Sequence, residues 1–156
     1  MTFIEILIKL RRIVRSINLE SKRVDKELGV SIPQLLCLQF LAEQDEFRTN
    51  ASKLKAFLNL NASTITGIIS RLEKKNLVVK LPKTIDKRIT LISLTAKGME
   101  LIQNAPITFQ QKLSEKLQAL PPEKIKTIME GIDLLTELME FDEIDASPII
   151  TSEELL

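Results

Sequence analysis

The sequence predicts a mainly α chain of the α+β class, with about six helices and one two-stranded β-wing. Apolar residues recur at the helical spacing of about 3.6 residues along most of the 156-residue chain. Glycine, which is unfavourable inside helices, occurs only 4 times. Between Leu77 and Leu94 the apolar period changes to two, which is typical of two short strands in a hairpin.

Two helices are predicted at the start of the chain. The first covers residues 3–28 and stops at Gly29, because glycine readily adopts the left-handed conformation that ends helices. The second follows Ser31, whose side chain can form a capping box with Gln34, and Pro33 fits its first turn.

A helix-turn-helix is predicted next. Residues 45–48 form a polar connection, after which Thr49 or Asn50 caps a short helix. Its inward residues are predicted to be Leu54, Phe57 and Leu58. Asn59 ends this helix, and the following one begins near Asn61, so the turn between the two helices is tight.

The helix after Asn61 has two contrasting faces. One is apolar and carries Ile65, Ile68, Ile69 and Leu72. The opposite face carries Ser63, Gly67, Ser70 and Lys74, flanked by Thr64, Thr66 and Arg71. Small, polar or basic side chains let a helix approach another polymer closely, and the DNA major groove, about 12 Å wide, admits a helix.

The predicted hairpin follows this helix directly. Its strands lie within residues 77–81 and 89–94, and the loop 82–88 contains Lys83, Lys87 and Arg88. A helix with a small polar outer face, followed by a basic-tipped hairpin, predicts a winged helix-turn-helix that reads double-stranded DNA.

The last third of the chain is again helical. Thr95 caps a helix predicted over residues 96–117, in which Pro106 should kink or break the helix because it lacks an N–H group. Pro121 and Pro122 open a final helix with an apolar stripe.

The net charge of +1 conceals a polarised chain. The segment from Lys53 to Thr90 holds nine basic and two acidic residues, whereas the segment from Thr127 to Leu156 holds nine acidic residues and no basic one. A local field of this kind, and not the total charge, steers a polyanionic ligand.

Composition argues against an enzyme. The chain has no His, the commonest general base and zinc ligand, and its one Cys cannot form an internal disulfide or a cysteine metal cluster. No phosphate loop or nucleophile motif is present, so we predict no catalytic residues, no metal and no cofactor. The N-terminal apolar run is interrupted by charges, which predicts neither a signal peptide nor a membrane span and favours a cytoplasmic protein.

We predict one domain over residues 1–141, with a head at about 31–94 and an acidic flexible tail at 142–156. The helices at about 3–28 and 96–140 carry wide apolar stripes beside a small head, and such stripes need a covering surface. A two-fold homodimer provides one and places two reading helices about 34 Å apart, one turn of DNA.

Four sequence features together carry a resemblance to a known family. They are the start of the second helix (Ser31, Pro33, Gln34, Leu35 and Leu36), the run Leu60–Leu77 with Arg71-Leu72-Glu73, the Asp86-Lys87-Arg88 triplet, and Leu94-Thr95 with Gly98. In their order and spacing the chain resembles the MarR family of winged-helix transcriptional regulators, over nearly its whole length to about Phe141.

The resemblance implies a homodimer that binds a pseudo-palindromic operator, usually as a repressor. It implies that Arg88 enters the minor groove and that Asp86 holds this arginine by a charge-assisted hydrogen bond. The residues expected to meet bases or phosphates in the major groove are Ser63, Thr64, Thr66, Ser70 and Arg71. The lysines Lys74, Lys83 and Lys87 complete the predicted DNA-binding set.

The resemblance also implies a small aromatic or anionic effector, bound in a crevice between the dimerisation helices and the head. The sequence names neither the effector nor its binding residues. Many family members have a basic residue where this chain has Gly67, and Lys74 is the candidate to replace that charge.

Other interpretations of single features remain open. Asp86 with Arg88 could be an ordinary surface turn, and the polar face of the reading helix could simply be solvated. Cys37 could be a small buried hydrophobe or an oxidant sensor. Arg11, Arg12 and Arg15 could be a solvated stripe, a partner of the acidic last helix or the rim of an effector pocket. Gly67 and the low net charge leave a second function open, a winged-helix protein-interaction module without specific DNA reading.

Overall fold

The computed structural model describes residues 2–82 and 88–140, which form seven α-helices and three short strands. The elements are α1 (Phe3–Leu28), α2 (Ile32–Ala42), β1 (Arg48–Asn50), α3 (Ala51–Leu58), α4 (Ala62–Lys74), β2 (Val78–Lys80), β3 (Leu91–Leu94), α5 (Ala96–Gln103), α6 (Phe109–Gln118) and α7 (Pro122–Leu138). The predicted mainly helical α+β class is confirmed. The chain forms two compact units, one ending at Ala105 and the other beginning at Pro106.

The predicted helix starts are confirmed by their caps. The Ser31 hydroxyl accepts from the backbone N–H of Gln34, whose side chain accepts from the backbone N–H of Ser31, so the capping box is complete. Of the two candidates for capping α3, Asn50 is the cap and Thr49 lies in β1. The Asn61 side chain caps α4.

The predicted helix ends are confirmed as well. Gly29 after α1 and Asn59 after α3 both adopt the left-handed conformation, with φ of 67° and 53°. The predicted helix over residues 96–117 is broken near Pro106: α5 ends at Gln103, and α6 begins at Phe109. This break produces the seventh helix.

The sheet has three antiparallel strands in the order β1-β3-β2, which corrects the prediction of a two-stranded wing. In the central strand β3, Ile92 lies opposite Thr49 of β1, and Ser93 lies opposite Val79 of β2. Sequence periodicity missed β1 because three residues are too few to show alternation. The pairing with β3 makes it a strand.

The core of the first unit forms between α2, α3, α4 and the sheet. Its large fully buried side chains include Leu35, Leu38, Leu41, Leu54, Ile65, Ile68, Leu72, Ile92 and Val78. The apolar face predicted for α4 is confirmed, since all four of its residues are buried. The prediction for Phe57 is wrong: this side chain is half exposed, and its ring lies 4.5 Å from that of Phe40, centroid to centroid. Position 57 lies at the edge of the face that Leu54 and Leu58 bury.

The second unit consists of α6 and α7. Thr108 caps α6 in a capping box with Gln111. No residue of α7 is buried, and its apolar residues Ile128, Met129, Ile132, Leu134 and Leu138 are exposed. Within residues 2–82 and 88–140, no helix has the length and apolar character needed to cross a membrane.

Candidate nucleic-acid interface

The outward face of α4 is fixed by what lies behind it. Ile65, Ile68, Ile69 and Leu72 anchor the helix in the core. The turn from α3 is closed by left-handed Asn59 and buried Leu60, and the α4 cap follows at Asn61. The opposite face of α4 is therefore turned away from the core.

The structure brings the predicted α4 residues together on this outward face. Ser63, Thr66, Arg71 and Lys74 are exposed, while Thr64 and Ser70 are half-buried. No carboxylate interrupts the face between the start of α4 and Glu73. The six predicted residues thus form a surface that is small and polar at its start and cationic at its end.

Two hydroxyl groups on this face already use their protons inside the helix. Ser63 Oγ donates to Asn61 Oδ1 at 2.7 Å, and Thr66 Oγ1 donates to the carbonyl oxygen of Ala62 at 2.9 Å. Asn61 Oδ1 also accepts from the Thr64 N–H at 2.8 Å. In these rotamers both hydroxyls offer only lone pairs to an outside ligand. They match the amino groups of adenine or cytosine better than phosphate oxygens, which are acceptors themselves.

Gly67 lies beneath the Arg71 side chain. A Cβ atom built at position 67 would lie 3.7 Å from Arg71 Nη1. The guanidinium group therefore folds back one helical turn over the glycine. The cation nearest to position 67 comes from Arg71, one turn away, rather than from Lys74, the candidate that the sequence suggested.

The described part of the wing carries Arg88, which is exposed in a turn just before β3. Lys83, Asp86 and Lys87 lie outside the described residues, so the predicted contact between Asp86 and the wing arginine stays a prediction. At the base of the wing, Lys80 Nζ of β2 lies 3.9 Å from Glu73 Oε1 of α4, and both side chains are nearly half exposed.

Exposed cations also lie on α3 and β2, the elements that pack against α4 on either side of it in the chain. Lys53 and Lys55 belong to α3 and Lys80 to β2, in addition to Lys74 of α4 itself. Within the described part of residues 53–90, Glu73 is the only carboxylate to offset them. Such a surface releases counterions from a bound polyanion, which favours binding to phosphate backbones at low salt.

Lys75 differs from its neighbour Lys74. The two lysines are adjacent in the sequence and of the same type, and Lys74 belongs to the predicted DNA-binding set. In the structure the Lys75 ammonium group donates to the carbonyl oxygen of Gly29 at 2.7 Å and to Gln34 Oε1 at 3.1 Å. This lysine therefore ties the end of α4 to the junction of α1 and α2.

The buried interior offers neither a reactive thiol nor a metal site among the described residues. Cys37 is fully buried in α2, and burial raises the pKa of its thiol from 9.0 to about 12. The thiol is therefore protonated at neutral pH, which favours the small-hydrophobe interpretation over an oxidant sensor. Over residues 2–82 and 88–140, no group of three or more His, Cys, Asp or Glu side chains could hold a metal ion.

The sequence is similar to a known family and to known proteins over the segment that forms this surface. The family model described as MarR family matches residues 30–90, which contain the helix-turn-helix and the first strand of the wing but end just before β3. The chain is 26% identical over 138 residues to the HTH-type transcriptional regulator YfiV of Bacillus subtilis, covering 87% of this chain and 84% of YfiV. It is 27% identical over 116 residues to the regulator YsmB of the same organism, covering 74% and 78% of the two chains.

Solved structures share the fold. Sco3205 of Streptomyces coelicolor, a MarR family transcriptional regulator solved in complex with DNA, superposes with a TM-score of 0.64 at 22% identity, covering 94% of both chains. The MepR–DNA complex of S. aureus superposes with a TM-score of 0.63 at 16% identity, covering 88% of this chain and 98% of MepR.

Proposed function

Because the chain belongs to the MarR family of winged helix-turn-helix DNA-binding transcriptional regulators, we propose that it binds a pseudo-palindromic operator as a homodimer and acts as a repressor. The family consists of regulators and not enzymes. One observation carries the proposal: the core fixes α4 so that its small polar and cationic face points outward, next to a wing that carries Arg88.

In this proposal α4 enters the major groove and Arg88 enters the adjacent minor groove. Ser63 and Thr66 accept hydrogen bonds from base amino groups, because their own protons are used within the helix. Arg71, whose guanidinium group lies over Gly67, reaches a base edge or a phosphate from there. Lys74 contacts phosphate, which adds affinity without adding sequence preference.

The apolar faces of α1 and α7 support the proposed homodimer. On α1 the exposed apolar residues are Phe3, Ile4, Ile6, Leu7, Ile8, Ile13, Val14 and Leu19. Faces of this size on a free monomer mark an interaction surface. The charges favour a second copy: Arg11, Arg12 and Arg15 of α1 are exposed, and so are Glu130, Asp133 and Glu137 of α7. The basic apolar helix of one copy can thus pack on the acidic apolar helix of its partner.

The proposal is tested by selecting bound fragments from a random duplex pool with the purified protein. We expect inverted half-sites with centres about 34 Å apart, one helical turn. If each subunit neutralises about three phosphates, the plot of log affinity against log salt should have a slope of about −5 for the dimer. A monomer by sedimentation that binds no duplex at low salt would instead favour the protein-interaction module.

Repression is tested with a reporter whose promoter overlaps the selected sequence, and we expect lower expression when the protein is present. The proposal extends to release by a small aromatic or anionic effector. Relatives support this extension: a MepR-like protein has been solved with pseudoligands, and the DNA binding of BpsR of Bordetella bronchiseptica is regulated by 6-hydroxynicotinic acid. Fluorescence anisotropy of the labelled operator during titration with aromatic carboxylates tests whether this chain responds.

A further inference from the structure

We propose that Lys75 is a positioning residue, which fixes the reading helix α4 against the end of α1 and so sets the half-site spacing that the dimer accepts. This inference rests on the proposed function. It starts from one contact: Lys75 Nζ donates to the Gly29 carbonyl oxygen at 2.7 Å and to Gln34 Oε1 at 3.1 Å.

The acceptors of Lys75 are rigid parts of the fold. Gly29 is the left-handed cap that ends α1. Gln34 is buried, and its Oε1 atom also accepts from the Ser31 N–H at 3.2 Å in the capping box that starts α2. An ammonium group has three donors and serves both acceptors at once. The contact therefore joins the cap residue after α1, the first turn of α2 and the end of α4.

Lys75 is also held from the other side. Its backbone carbonyl oxygen accepts from Lys97 Nζ of α5 at 3.0 Å. The next carbonyl, of Asn76, accepts from Thr95 Oγ1 at 2.7 Å. The residue after α4 is thus fixed both by its side chain and by its backbone, so a shift of Gly29 is passed to the end of the reading helix without an intermediate residue.

The contact of Lys75 with Gly29 affects the half-site spacing because of the length and position of α1. The helix has 26 residues, a length of about 39 Å at 1.5 Å per residue. Its exposed apolar residues lie between Phe3 and Leu19, where the second copy is proposed to pack, and its other end stops at Gly29. The helix therefore connects the dimer contact to Lys75, and the angle at this junction sets the separation of the two α4 helices.

Lys74 provides a matched control. It is adjacent, chemically identical and exposed, and within the described residues no hydrogen bond or ion pair involves its ammonium group. We compare wild type, Lys74→Met and Lys75→Met on two duplexes. One is the tightest duplex recovered by selection with wild type, and the other is the same duplex with one base pair inserted at its centre.

For Lys75→Met we expect the same slope of log affinity against log salt as for wild type. The ratio of its affinity for the original duplex to that for the lengthened duplex should be smaller than in wild type. The preference should fall by about 2- to 30-fold, the range in which mutations alter coupling between sites. For Lys74→Met we expect an unchanged preference and a slope shallower by about 1.8 units, since two phosphate contacts are lost per dimer. Lys75→Met with a shallower slope and an unchanged preference would overturn the inference, whereas failure of wild type to bind any duplex would overturn the proposed function.

A second measurement needs no variant and so does not depend on folding of Lys75→Met. Amine acylation of wild type, followed by mass spectrometry, reports each lysine separately. Lys75 should react several-fold more slowly than Lys74, because its ammonium group donates to two acceptors. Equal rates at the two lysines would show that the tie does not persist in solution, which would also overturn the inference.

Discussion

Replacing Gly98 by alanine should destabilise the first unit, although alanine favours helices. Gly98 lies in the first turn of α5, where the helix meets the turn that precedes β2. A Cβ atom at this position would lie 2.3 Å from the Leu77 carbonyl oxygen and 2.7 Å from Cδ1 of Leu94. Real Cβ atoms essentially never approach a heavy atom closer than 3.0 Å, so α5 must recede by about 0.7 Å.

The size of the effect follows from what this movement disturbs. Thr95 N–H donates to the same Leu77 carbonyl oxygen at 3.1 Å, and the bond is lost if the helix recedes. Overpacking costs about 1–3 kcal/mol, and a lost hydrogen bond costs about 1 kcal/mol. The change from glycine to alanine inside a helix by itself raises the free energy of unfolding by about 0.5–1 kcal/mol. We therefore expect the free energy of unfolding to fall by about 1–3 kcal/mol.

Urea denaturation followed by circular dichroism measures this change by linear extrapolation. Gly67→Ala is the matched control, because Gly67 also lies inside a helix of the first unit and its added Cβ atom meets only Arg71 Nη1, at an ordinary 3.7 Å. This control should gain about 0.5–1 kcal/mol. If Gly98→Ala were as stable as Gly67→Ala, the close approach of α5 to the Leu77 carbonyl would be refuted.

Three further predictions concern a hydroxyl, a thiol and the wing. Thr49→Val should raise the free energy of unfolding by about 1 kcal/mol in the same urea assay, because the buried Thr49 Oγ1 has no hydrogen-bond partner among the described residues; a loss of stability would mean that the hydroxyl is bonded after all. The pKa of Cys37 is raised on folding, so above pH 9.0 the unfolded chain binds fewer protons at this thiol than the folded chain. Stability should therefore decline from about pH 9 toward pH 12 more steeply for wild type than for Cys37→Ala, and parallel urea titrations of the two would contradict this. Arg88→Ala should weaken operator binding by about 1–3 kcal/mol, and equal mobility shifts for variant and wild type would exclude a role of this side chain in the minor groove.

The sequence predicted those parts of the fold that depend on neighbouring residues. The capping box of Ser31 with Gln34, the left-handed ends at Gly29 and Asn59, and the buried face of α4 all follow from residues within one or two turns. The helix break near Pro106 is equally local, since a missing N–H group acts on its own helix.

The features that the sequence missed depend on contacts between distant segments. Strand β1 exists because Thr49 lies opposite Ile92, 43 positions later, and a three-residue strand leaves no periodic signal. The role of Lys75 depends on Gly29, 46 positions earlier. From the sequence alone Lys75 and Lys74 are equivalent, and only the folded position of the α1–α2 junction separates them.

Lys75 and the Gly98 contact belong to one set of contacts around the end of α4, and this set supports the proposal that α4 reads DNA as a rigid element. The backbone carbonyl oxygens of three consecutive residues, Lys75, Asn76 and Leu77, accept from Lys97 Nζ, Thr95 Oγ1 and Thr95 N–H, all at the start of α5. Asn76 is left-handed at φ 59°, so the chain reverses sharply after α4 and enters the wing. The start of α5 donates hydrogen bonds to this turn, and Lys75 links the turn to the end of α1. The same hydrogen bonds therefore set the orientation of α4 and that of the wing. In the proposed complex α4 and Arg88 contact adjacent grooves, so fixing both elements from a single turn would lower the entropy lost on binding DNA.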